Sequence, residues 1–163
     1  MTILQICQWL NDSPLGTSIR ESDFSFALIE TTHVLGITLM AGTVAILDLR
    51  LLGLMLRQDE VSDVAGQVLP LTVAGFVLMA ISGSLLFWSE AARMYFNPAF
   101  RFKLVLMLAA GLNPLIFHRT VYRKVASWNL AQPTPAAAKT AAVVSLALWT
   151  GIIVSGRAIA YFH

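Results

Sequence analysis

Charge is what this chain has least of. Only 12% of its 163 residues are Asp, Glu, Lys or Arg, while 57% are hydrophobic. A soluble domain carries roughly 25% charged residues and needs them to cover its surface. A soluble helical bundle is therefore improbable, and the mean hydropathy of +0.72 agrees. Cysteine is nearly absent too. Cys7 stands alone, so an intramolecular disulfide is excluded, and neither CxxC nor CxxCH occurs. The usual signatures of a structural zinc site and of covalently attached haem go with them. No basic n-region precedes an apolar h-region at the start, so the first crossing is expected to act as an uncleaved insertion signal. No basic patch with interleaved aromatics is present, and no nucleic-acid partner is expected. The net charge of +2 and pI near 9.0 fit the Lys and Arg of cytoplasmic loops. None of the glycines opens a phosphate-binding loop.

What is there is a set of long apolar runs. About 20 apolar residues at ~1.5 Å rise cross a ~30 Å hydrocarbon core. Four segments qualify: about 24–56, 69–89, 99–121 and 139–162. The predicted fold is an all-α bundle of four transmembrane helices, one membrane domain over 1–163, with a short interfacial helix at 3–10. That helix puts Ile3, Ile6, Cys7 and Leu10 on one face with Trp9 at its edge. Residues 11–16 read as a turn, and Ser22 or Asp23 as the N-cap of the first span. Pro70 is expected in the first turn of the second span. Ala74-Gly75 and Ser82-Gly83-Ser84 supply small residues for close helix contact. Trp88, Tyr95 and Phe96 form an aromatic belt. Asn113-Pro114 should kink the third span. Residues 122–139 form the longest loop, broken by Gln132-Pro-Thr-Pro135. Four crossings put both ends on one side. Six basic residues fall on the loop side (Arg50, Arg57, Arg119, Arg123, Lys124, Lys139) and five on the other. The positive-inside rule then places the loops in the cytoplasm and both ends outside.

The first span carries ionisable groups, which at membrane depth normally face protein and often mark function. At ~100° per residue Glu30, Ile37, Ala41 and Asp48 share one stripe, with His33 about 60° to its side. That stripe is expected to face the interior. By depth, Glu30, His33, Lys103 and Arg157 all belong to the outer half and can form one cluster, with Glu30 and Arg157 as a buried ion pair. His118 lies near the loop side, roughly 15 Å from His33 in depth, too far to share one haem between two axial imidazoles. His33 with Lys103, or His33 alone, is compatible with axial ligation. A structural polar contact for His33, and proton or quinone handling, stay open beside it. Asp48 and Arg50 are expected to mark the exit of the first span at the lipid interface. His163 reads as a frayed end. No row of Met with Cys or His follows one helix face, as a copper path needs.

The stretches His33-Val-Leu-Gly-Ile-Thr-Leu-Met-Ala-Gly42, Pro70 to Gly83 and Phe102-Lys103-Leu-Val-Leu-Met-Leu108 together resemble small bacterial four-helix membrane proteins. These are grouped loosely with the copper-resistance D domain and the HemJ-type membrane protoporphyrinogen oxidase. The latter resemblance implies a haem b site at His33 and Lys103. The Glu30-x-x-His33 and Asp48-Leu-Arg-Leu-Leu-Gly53 patterns look more like an uncharacterised family of bacterial membrane proteins. The resemblance implies a multi-pass protein of the bacterial inner membrane.

Three functions are carried forward. The first is a haem b-binding, electron-transfer-type membrane protein, quinone-linked, with His33 as metal ligand and Lys103, Glu30 and Arg157 around the cofactor. The second is a non-catalytic anchor or assembly subunit for other membrane subunits. The third is a small metal or proton transporter.

Overall fold

Serine, asparagine, proline and glycine set the helix limits. The computed structural model describes residues 2–130 and 134–162. Gln132, Pro133 and the terminal His163, read above as part of a break and as a frayed end, lie outside the described residues. Helix α1 (Ile3–Asn11) starts at a capping box in which Thr2 and Gln5 satisfy each other's backbone N–H. Helix α2 (Pro14–Glu21) follows after two residues: Ser13 caps it and Pro14 occupies its first position. The turn expected over 11–16 is thus mostly helix, because Ser-Pro is also a helix-start signal. Ser22 accepts from the Ser25 N–H and opens α3 (Asp23–Leu52). Gly53, at φ 73°, ends it in the left-handed conformation that glycine adopts without penalty. The first span therefore stops four residues earlier than the apolar run suggests.

Helix α4 (Val61–Ser89) begins well before the expected residue 69. Pro70 lies inside it rather than in its first turn. The amphipathic lead-in Val61–Val68 buries Val61 and Val64 and so extends the helix below the proline. A short α5 (Ala91–Phe96) occupies the expected 90–98 loop. Asn97 caps α6 (Pro98–Thr120), with Pro98 at its start and Pro114 inside. A 3₁₀ turn, Tyr122–Ser127, precedes α7 (Ala136–Ala158). Among the described residues there is no strand.

Four helices, α3, α4, α6 and α7 with its 3₁₀ extension, are long and apolar enough to cross a membrane. Their outward residues are apolar: Val34, Leu35, Phe76, Ile81, Val105, Leu108, Ile116 and Val154 are all exposed. In water this surface would be untenable; in lipid it is the expected solvent face. The chain is a multi-pass helical membrane protein.

Helix α3 packs most extensively against α4, α6 against α7, and α3 against α7. The lateral order is α4–α3–α7–α6. The α3/α4 contact is made by backbone. A Cβ built on Gly75 would stand 2.6 Å from the Met40 nitrogen and 3.0 Å from the Gly36 carbonyl. One built on Gly36 would stand 2.8 Å from the Met79 nitrogen. Of the small residues expected to permit close contact, Gly75, Ser82 and Gly83 face α3, whereas Ala74 and Ser84 are exposed. Thr43 and Thr72 add a hydroxyl–hydroxyl bond of 2.8 Å one turn further on. Helices α4 and α6 make almost no close backbone approach.

Each end of the bundle is closed differently. On the side where α3 begins, here the terminal side, Arg20 donates to the carbonyls of Asn11 and Ser89, tying α2 to the ends of α1 and α4. Trp88 Nε1–H donates to Ser13 Oγ. Asn97 donates to the Ile159 and Phe162 carbonyls, holding the start of α6 to the end of α7.

On the loop side Leu51, Val61, Trp128, Ala138 and Ala142 form the main apolar cluster, with Phe117 and Tyr122 packed on it. Arg50 is wholly buried there. Its Nε and Nη2 donate to the Asp59 carbonyl at 2.9 and 2.8 Å, and Nη2 also reaches the Asn129 carbonyl. Asn129 in turn caps α4: its side-chain oxygen accepts from the Ser62 N–H at 2.9 Å. Arg50 is thus a bracket between two loops, not an interfacial charge. Arg50→Met should lower the thermal stability of the detergent-solubilised protein. The Asp59 carbonyl loses its guanidinium donors at about 1–3 kcal/mol, while the Asn129 carbonyl keeps the Val61 N–H, so a net loss of about 2 kcal/mol is expected. An unchanged melting temperature would show that water or another donor takes over.

Candidate functional site

The candidate site forms in the terminal half of the bundle, around His33 of α3. The ring crosses to α4, where Gly83 leaves it room: a Cβ there would stand 2.9 Å from the imidazole Cε1. Nδ1 lies 3.1 Å from the Met79 carbonyl and 3.1 Å from Ser82 Oγ. A carbonyl only accepts, and the Ser82 hydroxyl already donates to the Leu78 carbonyl at 2.6 Å. Nδ1 of the neutral ring must therefore carry the hydrogen. That leaves the lone pair on Nε2, which makes no hydrogen bond.

Lys103 of α6 faces the same space. Its chain runs along Gly156 of α7, with Nζ 3.5 Å from where a Cβ would stand. Its charge is close enough to act on the His33 ring. The Lys103 ammonium has no hydrogen-bond or ion-pair partner among the described residues. Neither it nor His33 Nε2 is sealed from the surface: among the described residues the only fully buried side-chain polar atoms lacking partners are Asp48 Oδ2 and Arg50 Nη1. Four helices thus position two nitrogen groups, and Gly83 on α4 makes room for the imidazole.

The other two members of the expected cluster do not converge on it. Glu30 and Arg157 are both exposed on the outside of the bundle, and the one ion pair among the described residues is Arg93–Glu90. The buried Glu30–Arg157 pair is not formed. The reason lies in the stripe that Glu30 shares with Asp48. Helix α7 covers that stripe at Asp48, which is buried on the Ser145 side, but leaves it bare at Glu30. Orientation of His33 falls to Met79 and Ser82 on α4 instead. Asp48 and Arg50, expected at the lipid interface, are buried in protein. His118 is in the last turn of α6, stacked on Tyr122 at 5.2 Å, far from His33.

The donor set decides which cofactors suit the site. No group of three or more His, Cys, Asp or Glu side chains able to hold a metal ion occurs among the described residues. A bare metal ion would need such a group. A porphyrin brings four nitrogens of its own and asks the protein for one or two axial ligands. His33 offers one, oriented by a backbone carbonyl on its other nitrogen, as metal-ligating histidines are. Sequence reasoning found His33 and Lys103 but not Ser82 or Met79 as their support; Ser82 was marked only as a small packing residue.

No curated protein and no solved structure matches this chain. Nothing in the comparisons supports the likeness to the copper-resistance D domain or the HemJ-type oxidase. One family model matches residues 7–162, nearly the whole length, and it describes a family of unknown function, DUF6644. The chain belongs to that family, and its four apolar helices make it an integral membrane member.

Proposed function

We propose that this protein is a membrane-embedded haem b-binding, electron-transfer-type protein, linked to the quinone pool and oriented in the bacterial inner membrane with its loops in the cytoplasm. One observation carries the reading: the Met79 carbonyl holds the hydrogen on His33 Nδ1 and leaves a bare lone pair on Nε2 within the span. His33 is the axial ligand. Lys103 is the second nitrogen group on that space, either as a ligand or as the cation that offsets an anionic substituent. Arg157, at the membrane surface on α7, is placed for a propionate only by swinging inward; Glu30 takes no part. A bound haem supplies one-electron chemistry; the chain supplies the ligand, its tautomer and an apolar surround that excludes water. The absorption spectrum of the purified protein tests this. A Soret band with a sharp reduced α-band is expected. A protein purified from haem-replete cells with neither band, and unable to acquire them from added haemin, would overturn the reading.

A second reading is favoured by a different observation. Glu30, at membrane depth, and Arg157, at the terminal-side end of α7, stand exposed without a partner among the described residues. Polar groups at membrane depth normally face protein. An anchor or assembly subunit would cover both with a neighbouring membrane subunit.

A further inference from the structure

The α4/α6 side of the bundle is unlike the other three. Successive helices elsewhere are in close backbone contact, but α4 and α6 are not. They meet through one aromatic pair: the rings of Phe87 and Phe100 stack with centroids 5.6 Å apart, 10° from parallel. Both residues lie at the terminal-side ends of their helices. Gly83 and Lys103 lie about one turn deeper, at ~5.4 Å per turn. Deeper again, Phe76 of α4 and Gly111 of α6 share one level, each about 20 Å from the terminal-side end of its helix. Phe76 is 54% exposed. Gly111 is exposed as well, and a Cβ on it would meet nothing within 4 Å. Below the phenyl pair, therefore, both walls present exposed positions and no close helix contact.

The terminal-side end of the seam is covered by protein. The Phe87–Phe100 stack roofs the seam. Beside it, α1 and α2 lie over the end of α4, held by Arg20 and Trp88. Asn97 fastens α6 to the end of α7. Yet His33 Nε2 and Lys103 Nζ both keep accessible surface. His33 lies on the α4 wall of this seam and Lys103 is borne by the α6 wall.

We infer that the ligand of His33 is a flat, lipophilic ring system that reaches the site sideways from the bilayer, through the seam between α4 and α6. This rests on the haem reading for the identity of the ligand. The walls suit such a molecule: exposed apolar side chains on α4 and α6 for its faces, a lone pair for its centre, and an ammonium for an acidic substituent.

The test uses apo-protein in liposomes whose bilayer is preloaded with haemin, with Soret absorbance reporting uptake. In a Cys7→Ala background, Phe76→Cys and Gly111→Cys are bridged by a short bis-maleimide, which straps the seam on its lipid side. Bridging should slow uptake at least severalfold, while Phe100→Ala, which opens only the water-side roof, should leave the rate unchanged. Gly111→Trp, whose side chain enters open space, replaces the bridged protein if the double variant does not fold, and it too should slow uptake. Undiminished uptake by the bridged or Gly111→Trp protein overturns lateral access while leaving haem binding intact. Faster uptake by Phe100→Ala does the same. Absence of a Soret band in the unmodified protein overturns both the route and the haem reading.

Discussion

Gly75→Leu should all but abolish the packed fold. The new Cβ would meet the Met40 nitrogen at 2.6 Å and the Gly36 carbonyl at 3.0 Å. These are main-chain atoms of α3, so no rotamer change relieves the clash. The two helices must part along their most extensive contact, and in parting they lose the Thr43–Thr72 bond and the His33 contacts with Met79 and Ser82. Overpacking costs about 1–3 kcal/mol when side chains can adjust; here a loss at or above about 3 kcal/mol is expected. Gly42→Leu is the matched control. It lies on α3, the other helix of the pair, is exposed, and its added Cβ meets nothing within 4 Å. Thermal melting in detergent followed by near-ultraviolet circular dichroism separates the two. Equal melting temperatures for Gly75→Leu and Gly42→Leu would mean that the α3/α4 approach is looser than described.

The second large effect concerns the histidines. His33→Ala should remove haem from the purified protein, and His118→Ala should leave its haem content largely intact. The asymmetry follows from placement. His33 has one nitrogen committed to Met79 and the other bare, whereas His118 stacks on Tyr122 in the last turn of α6. Ser82→Ala is the finer probe. It leaves the carbonyl bond to Nδ1 and removes only the serine, so it should shift the reduction potential or band positions without emptying the site. Haem retained in full by His33→Ala would sink the ligand assignment. Loss in both histidine variants would mean that the haem lies nearer the loop side.

The crossings were legible because lipid imposes a crude rule: about 20 apolar residues, few charges. Their limits were less so. A run of apolar residues does not show where a helix stops, and Gly53 ends α3 while Leu54, Met55 and Leu56 continue the pattern beyond it. Pro70 misled because a proline near the edge of an apolar run resembles a helix start, while the turns below it are amphipathic. Helical phase placed His33 beside the interior. It failed for Glu30 because a stripe is covered only where a neighbouring helix crosses it. Asp48 and Arg50 were assigned to the interface from sequence distance alone. Their partners, Ser145, Asp59 and Asn129, are supplied by other segments, and no local pattern shows that Asn129 caps a helix starting some 70 residues earlier. What the sequence held about the site was its two nitrogen bearers; what it withheld was the geometry that frees one lone pair.

The lateral order α4–α3–α7–α6 also bears on biogenesis. Helices α3 and α4 are neighbours in sequence and close on each other through Gly36 and Gly75, so this hairpin is complete as soon as both segments have left the translocon. Helices α6 and α7 form a second hairpin, and it joins the first chiefly through α7. Assembly then proceeds as two insertion events followed by one docking step. The α4/α6 boundary is the last surface to be defined, and the two helices meet there chiefly through Phe87 and Phe100.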